Sequence, residues 1–391
     1  MQTSSNRLYT LVSLFFTNAA LRTLLLLTIL LWAMSSTGNV SVSSSGVATL
    51  SNTAPVGTHT TKIRATDNYN QATDVTFGTT MTNCADATLV TFSNLTVNGQ
   101  MYRYRVTPTS ATLDLTFTHP DLQFPHHGIV IPTTGDLLVS DKGTNASGNI
   151  SSFLRFKNPL GAMTYSGKFN TPDMVNSYWL AIRNNELFVP QGVNRNNILR
   201  FLLDANGNLT PNGSIADGLA NGNARGIVLT PWGELFVTRC SGSNYIVRYK
   251  FDANGNASLN GIISGNGMSN PHGMAFSSWG ELFVASHDNN IVSRFTFDAN
   301  RNAAANGQII NAAGLAAIDV AFSPWGELFI SNNLGAKITR FRFDSARNAS
   351  FNGSFDTPNA LHGLLFLQPS SVCTLPPTVT TLGVTSQAGS P

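Results

Sequence analysis

Charge is what this chain has least of: only 11% of its 391 residues are Asp, Glu, Lys or Arg, against about a quarter in an ordinary soluble domain. The formal net charge is +3, from 23 basic and 20 acidic residues, and no run of Lys and Arg is spaced to follow a phosphate backbone. That argues against a nucleic-acid partner. Cysteine is scarce too. Cys84, Cys240 and Cys373 are too few and too scattered for a disulfide framework or a Cys-rich zinc site. One bridge at most is possible, between Cys84 and Cys373 if the segment they flank closes on itself; buried free thiols are the preferred reading. Helical spacing is missing from the repeats described below. So are an ordered Ser-His-Asp set, an HExxH helix, a P-loop and a dinucleotide fingerprint. What remains, rich in Ser, Thr, Asn and Gly, reads as an all-β protein with an extracellular type of surface.

Residues 1–37 read as targeting sequence. Arg7 and Arg22 precede an apolar run from Leu24 to Met34 that ends in Ser35-Ser36-Thr37. Eleven residues suit a signal-peptide core better than a membrane span, which needs about 20. Because Leu8 to Leu21 is also fairly apolar, an uncleaved anchor is the alternative, and it would be the only membrane contact. Either way the remainder is expected to be secreted or extracytoplasmic, at the cell surface or in the periplasm.

Residues 38–85 alternate small, β-branched and polar types, which predicts short strands. Beyond His119 a unit repeats. PWGELFV starts at Pro231, SWGELFV at Ser278 and PWGELFI at Pro324, with looser relatives at Gly135 and Asn185. The acidic markers Asp136, Glu186, Glu234, Glu281 and Glu327 stand 50, 48, 47 and 46 residues apart. A period of this length means a solenoid or a propeller. Each unit holds four strand-like runs separated by Gly, Asn and Pro turns, which selects the propeller of radial four-stranded sheets. Five units begin near His127, Ser177, Arg225, His272 and Ile318, and LHGLLFLQ from Leu361 adds one more inner strand. Completed by strands around Leu89 to Phe92, Tyr102 to Val106 and Ala111 to Thr118, it gives six blades over residues 86–370. Seven are possible if residues 38–85 add a sheet. Residues 371–391 read as a flexible tail, and a monomer is expected.

The Trp of the Trp-Gly turns is expected to pack between blades, and the acidic marker beside it to be solvated or to cap the turn. Runs such as YKFDANGNASLNG from Tyr249 begin like a calcium loop but lack its closing Glu; Asx turns explain them.

The stretch Asn270 to Asp298, NPHGMAFSSWGELFVASHDNNIVSRFTFD, resembles an NHL-type propeller repeat. Asn196 to Ile215 is equally similar to blades of lactonase-like, YVTN-type propellers. Gly57 to Phe77 more weakly resembles the last strands of immunoglobulin-like and cadherin-like modules. These propeller families include binding modules, lactonases and lyases, so the resemblance implies architecture rather than activity. Two functions follow as expectations. The first is an extracytoplasmic binding or scaffold module that presents its loop faces and channel to a small molecule, polysaccharide or protein. The alternative is a metal-dependent lyase or lactonase-type hydrolase with its site at the channel mouth.

Nine residues before each acidic marker, at the start of the inner strand, stand His127, Ser177, Arg225, His272 and Ile318, with His362 equivalent in the last blade. The amidating lyases, which are NHL-type propellers, hold zinc on channel histidines, and the resemblance in that arrangement implies His127, His272 and His362 as ligands of a divalent metal, zinc or calcium. Arg225 would then hold an anionic group and Asp319 orient a ligand.

Overall fold

The second strand of each unit is an uninterrupted apolar run, as in Leu282-Phe283-Val284-Ala285, and all four residues are buried. A strand buried on both faces needs a neighbour above and below its sheet, which stacked blades provide. Outer strands such as Ala303–Ile310 are exposed at five successive positions. A computed structural model describes residues 86–367 except 94, 96–97, 144–149, 193–196, 217–222, 241, 243 and 312–315, with the backbone of strands between 30–81 and at 378–387.

Six four-stranded antiparallel sheets form a six-bladed β-propeller. Blade 1 runs from its inner strand Pro125–Val130 through Leu137–Asp141 and Ser152–Lys157 to Thr164–Phe169. Blade 2 comprises Ala181–Arg183, Glu186–Pro190, Asn197–Leu203 and Leu209–Ala216. Blade 3 comprises Asn223–Leu229, Leu235–Cys240, Tyr245–Phe251 and Ala257–Ser264. Blade 4 comprises Pro271–Phe276, Leu282–Ser286, Ile291–Phe297 and Ala303–Ile310. Blade 5 comprises Ala317–Phe322, Leu328–Asn332, Lys337–Phe343 and Ala349–Asp356. Blade 6 is composite: its inner strand Leu361–Leu367 pairs with Ala87–Ser93, followed by Gln100–Val106 and Ala111–Thr118. Leu365 lies opposite Val90 and Leu367 opposite Thr88, so the ring closes by pairing the two ends of the repeat region, as the sequence predicts.

Blade junctions use two devices. The turn tryptophans pack forward onto the next blade: Trp232 on Phe276 and Phe297, Trp279 on Phe322 and Phe343, and Trp325 on Phe366, with ring centroids 4.9–6.4 Å apart. The acidic markers are buried rather than solvated, and two also hold their turn as expected, Glu281 and Glu327 accepting the Trp279 and Trp325 indole N–H groups at 2.9 Å. Each pairs with an arginine of the third strand: Asp136 with Arg155, Glu186 with Arg200, Glu234 with Arg248, Glu281 with Arg294 and Glu327 with Arg340, at 2.5–2.9 Å. The same guanidinium then donates to a carbonyl of the following blade, as Arg155 does to Asn206, Arg200 to Gly255, Arg294 to Arg347 and Arg340 to Pro108. Blade 6 uses Arg103 against Asp114 and the Pro159 carbonyl of blade 1. Burying the carboxylate is tolerable because the planar fork satisfies it and stitches two sheets at once. The Asp-x-Asn runs are Asx turns. Asp252, for example, accepts the Asn254 and Asn256 backbone N–H groups at 2.9 and 2.8 Å, leaving the turn internally satisfied.

The chain divides into two compact units, Ala85–Val372 and a second made of Met1–Cys84 with Cys373–Pro391. Residues 38–85 therefore add no seventh blade. In the second unit Gly57–Thr66, Ala72–Met81 and Thr378–Gln387 are neighbouring strands of one sheet. The expected tail thus contains a strand. Cys84, Cys373 and the expected leader core up to Ile29 lie outside the described residues, whereas Cys240 is buried, its thiol donating to the Asn223 carbonyl at 3.3 Å. Among the described residues no helix is long and apolar enough to cross a membrane.

Candidate functional site at the channel mouth

In five of the six blades the inner strand begins with a register shift against the second strand. In blade 4, Pro271 pairs with Ser286 and Met274 with Val284, leaving His272-Gly273 between them. The equivalent dipeptides are Arg225-Gly226 in blade 3 and His362-Gly363 in blade 6, while in blade 5 Ile318 alone is unpaired and Asp319, opposite Ser331, follows it. In blade 1 Pro125 pairs with Asp141 and His127 with Ser140, so His126 is the unpaired residue and His127 follows it. In blade 2 Ser177 bridges to Gln191 and Ala181 pairs with Phe188, which sets Tyr178-Trp179 in the same place. The upper tier is therefore His126, Tyr178, Arg225, His272, Ile318 and His362. The lower tier is His127, Trp179, Gly226, Gly273, Asp319 and Gly363.

Counting back from the acidic marker misplaces blades 1 and 2 by one residue because their turns differ in length. Ile131 closes its turn on the Asp136 carbonyl, five residues on, where Ser277 closes on Glu281, four on. Blade 2 instead turns on Asn184-Asn185, both with positive φ (49° and 60°), a two-residue hairpin turn. The upper-tier imidazole of blade 1 is thus His126, which the repeat count passes over although Pro-His-His-Gly offers both. His127 faces the floor.

The floor is filled by three lower-tier side chains seated against three glycines. Trp179 stacks on His127 and meets His272 edge-on, each 6.1 Å between ring centroids. Asp319 Oδ2 accepts the Leu364 N–H at 2.8 Å and lies 3.9 Å from His127 Nε2. A Cβ at Gly273 would strike the Asp319 carboxylate, one at Gly226 the His272 carbonyl, and one at Gly363 the His126 carbonyl. Second-strand hydroxyls fix the upper tier: Thr238 donates to the His272 carbonyl and Ser331 to that of His362, at 3.0 and 2.7 Å, while Ser140 donates to that of Tyr178.

Burial sets the protonation of these groups. It holds His126, His272 and His362 well below the usual imidazole range, helped by the positive Arg225 or Lys142 beside them. It lowers His127 to about 3 and raises Asp319 to about 7, the latter opposed by the Leu364 N–H and the Trp179 indole. All four imidazoles are neutral at neutral pH.

Above the tiers, the His126 and His362 rings lie 3.9 Å apart between centroids, and Phe124 covers both at 4.7 and 5.2 Å. The Arg225 guanidinium lies 4.8 Å from the centre of the Tyr178 ring. Lys142 Nζ stands 5.2 Å from Phe124 and 5.9 Å from Tyr178. Both nitrogens of His126, Nε2 of His362 and Nε of Arg225 are buried without a hydrogen-bond partner. Among the described residues neither Arg225 nor Lys142 makes an ion pair.

Of the residues singled out in the sequence, Arg225, His272 and His362 thus share the upper tier, while His127 and Asp319 meet beneath it. Arg225 lies beside His272, and among the described residues no three His, Cys, Asp or Glu side chains are grouped to hold an ion. The donor set does not fit zinc, which needs nitrogen ligands converging at about 2.0–2.1 Å.

No protein-family profile matches the chain, and no curated protein matches it. Its fold is shared with solved structures. One is a putative 6-phosphogluconolactonase from Bacteroides uniformis ATCC 8492, at 17% identity and TM-score 0.54 over 70% of this chain and 84% of that one. A second, from Bacteroides fragilis NCTC 9343, gives 16%, 0.53, 71% and 84%. The periplasmic gluconolactonase PpgL of Pseudomonas aeruginosa gives 13%, 0.50, 86% and 98%. At these identities the likeness establishes the β-propeller fold alone.

Proposed function

We propose that this protein is an exported binding propeller that holds a small anionic ligand at the mouth of its axis, with Arg225 as the anchoring cation. One observation carries the reading: four buried polar nitrogens without partners, on His126, His362 and Arg225, lie among two cations, Arg225 and Lys142, that make no ion pair among the described residues. Each such orphan costs about 1–3 kcal/mol, and a cluster of them is tolerated where a ligand or ordered water completes the bonding. Neutral imidazoles add donors and acceptors without repelling the cations. The charge-poor composition and the apolar run from Leu24 to Met34 support an extracytoplasmic location.

Calorimetry with gluconate, a small sugar acid, tests the reading. Binding should weaken at least tenfold in Arg225→Gln, and an unchanged affinity would remove the anchor.

A second reading, lactone hydrolysis, is favoured by the neutral imidazole pair itself. His126 or His362 can accept a proton from an attacking water, Arg225 can stabilise the oxyanion that forms on the carbonyl, and its collapse breaks the ring C–O bond as the imidazolium returns the proton to the departing oxygen. The names of the structural neighbours make sugar lactones the first substrates to try. Acid release from gluconolactone above the spontaneous rate, lost in a His126→Gln, His362→Gln double variant, supports this reading; a rate equal to the spontaneous one rejects it.

A further inference from the structure

We propose that Lys142 is a second anion-binding residue, so that the mouth selects ligands carrying two anionic groups on a short skeleton. The proposal rests on the anion-binding reading above and specifies the ligand for that site.

The Tyr178 ring is the common support. Gly192 leaves the room its edge occupies, since a Cβ there would overlap the ring, and the Gly192 N–H is tied to the Asn176 carbonyl at 2.9 Å. On this fixed ring Arg225 and Lys142 stand 4.8 and 5.9 Å from the centre. Aromatic faces attract both cations, but the attraction leaves their charges uncompensated. Burial, and then the charge of Arg225, lowers Lys142, and both cations add to the burial that lowers His126 and His362. Two like charges are thus held near one another in a partly desolvated site.

Among the described residues the nearby carboxylates make no ion pair with either cation, and Arg225 is the last of the causes that lower Asp288. Asp141 spends its oxygens on the Gln123, Phe124 and Gly143 N–H groups. Asp288 is engaged by His287 and Asn270, and Asp319 lies in the floor, bonded to Leu364. A ligand with one negative group satisfies one cation and leaves the other unpaired. Two carboxylates, or a carboxylate and a phosphate ester, satisfy both. The remaining upper-tier member, Ile318, is apolar and buried, so it offers no third charge.

The test compares gluconate with glucarate, which share a carbon skeleton and differ by one carboxylate, using the full chain and calorimetry. Wild type should bind glucarate at least tenfold tighter than gluconate. Lys142→Gln should bring that ratio close to one, and Lys142→Arg should restore part of it. Arg225-dependent gluconate binding with no preference for glucarate overturns the proposal but leaves the anion-binding reading intact. A preference that survives Lys142→Gln also overturns it. Failure of both probes to bind overturns the reading and the proposal together. Thermal melts of each variant without ligand, matching wild type, exclude loss of fold as the cause.

Discussion

The carboxylate of Asp319 in blade 5 accepts the backbone N–H of Leu364 in blade 6 at 2.8 Å, and against Gly273 of blade 4 it occupies the space a side chain would take. One side chain therefore spans three inner strands and sets the spacing between His272 and His362. Its burial raises the acid from 3.8 to about 7. In the unfolded chain it ionises near 3.8, so its contribution to stability is full below that pH and is lost as pH climbs through about 7. Asp319→Asn keeps an oxygen for Leu364 and never ionises. Its melting temperature relative to wild type should rise between pH 5 and pH 8, and a difference that is flat or falls with pH would contradict the assignment.

Gly273 makes the complementary prediction. Gly273→Ala drives a methyl into the Asp319 carboxylate, and overpacking of this kind costs about 1–3 kcal/mol. Combined with Asp319→Gly, the same alanine should cost measurably less than it does alone. Additive losses in a double-mutant cycle would show that the two residues do not meet.

Much of the fold is legible in the sequence because repetition exposes it. A tryptophan turn and an apolar run recurring about every 47 residues specify the blade, and LHGLLFLQ without its own sheet implies closure on the N-terminal strands. The site is less legible, for a reason that lies in the turns. Register is inherited from turn length, so one extra residue before Asp136 moves the upper-tier position from His127 to His126, and the Asn184-Asn185 hairpin moves it from Ser177 to Tyr178. Lys142 carries no repeat signal, since the equivalent residue in blade 4 is His287 and in blade 5 Asn333. Its partnership with Tyr178 exists only once the ring is closed.

The buried acid–arginine pairs are predicted to be costly to halve and cheaper to remove. Glu281 and Arg294 are both buried, joined at 2.8 and 2.9 Å, and Asn306 also donates to Glu281. Glu281→Leu alone strands the guanidinium and should cost about 3–5 kcal/mol. Adding Arg294→Leu should recover part of that loss in chemical denaturation, because no unpaired charge remains. A double variant less stable than Glu281→Leu would mean that the bond from Arg294 to the Arg347 carbonyl at 3.0 Å outweighs the ion pair.

The ring closure is tested by two truncations with opposite expected outcomes. A chain of residues 85–372 retains all six propeller sheets, including the pairing of Leu361–Leu367 with Ala87–Ser93. It should be a soluble monomer. A chain starting after His119 keeps the inner strand of blade 6 but loses the other three. Leu361, Leu364 and Phe366 then lose Leu89, Tyr102 and Tyr104 from their cluster, and the hydrogen-bonding edge of Leu361–Leu367 is left open. Uncovered apolar edges pair with other chains, so this product should elute as aggregates in size-exclusion chromatography at any salt concentration. A monomeric, cooperatively melting product would mean that five blades suffice and that the composite sheet does not hold the ring together.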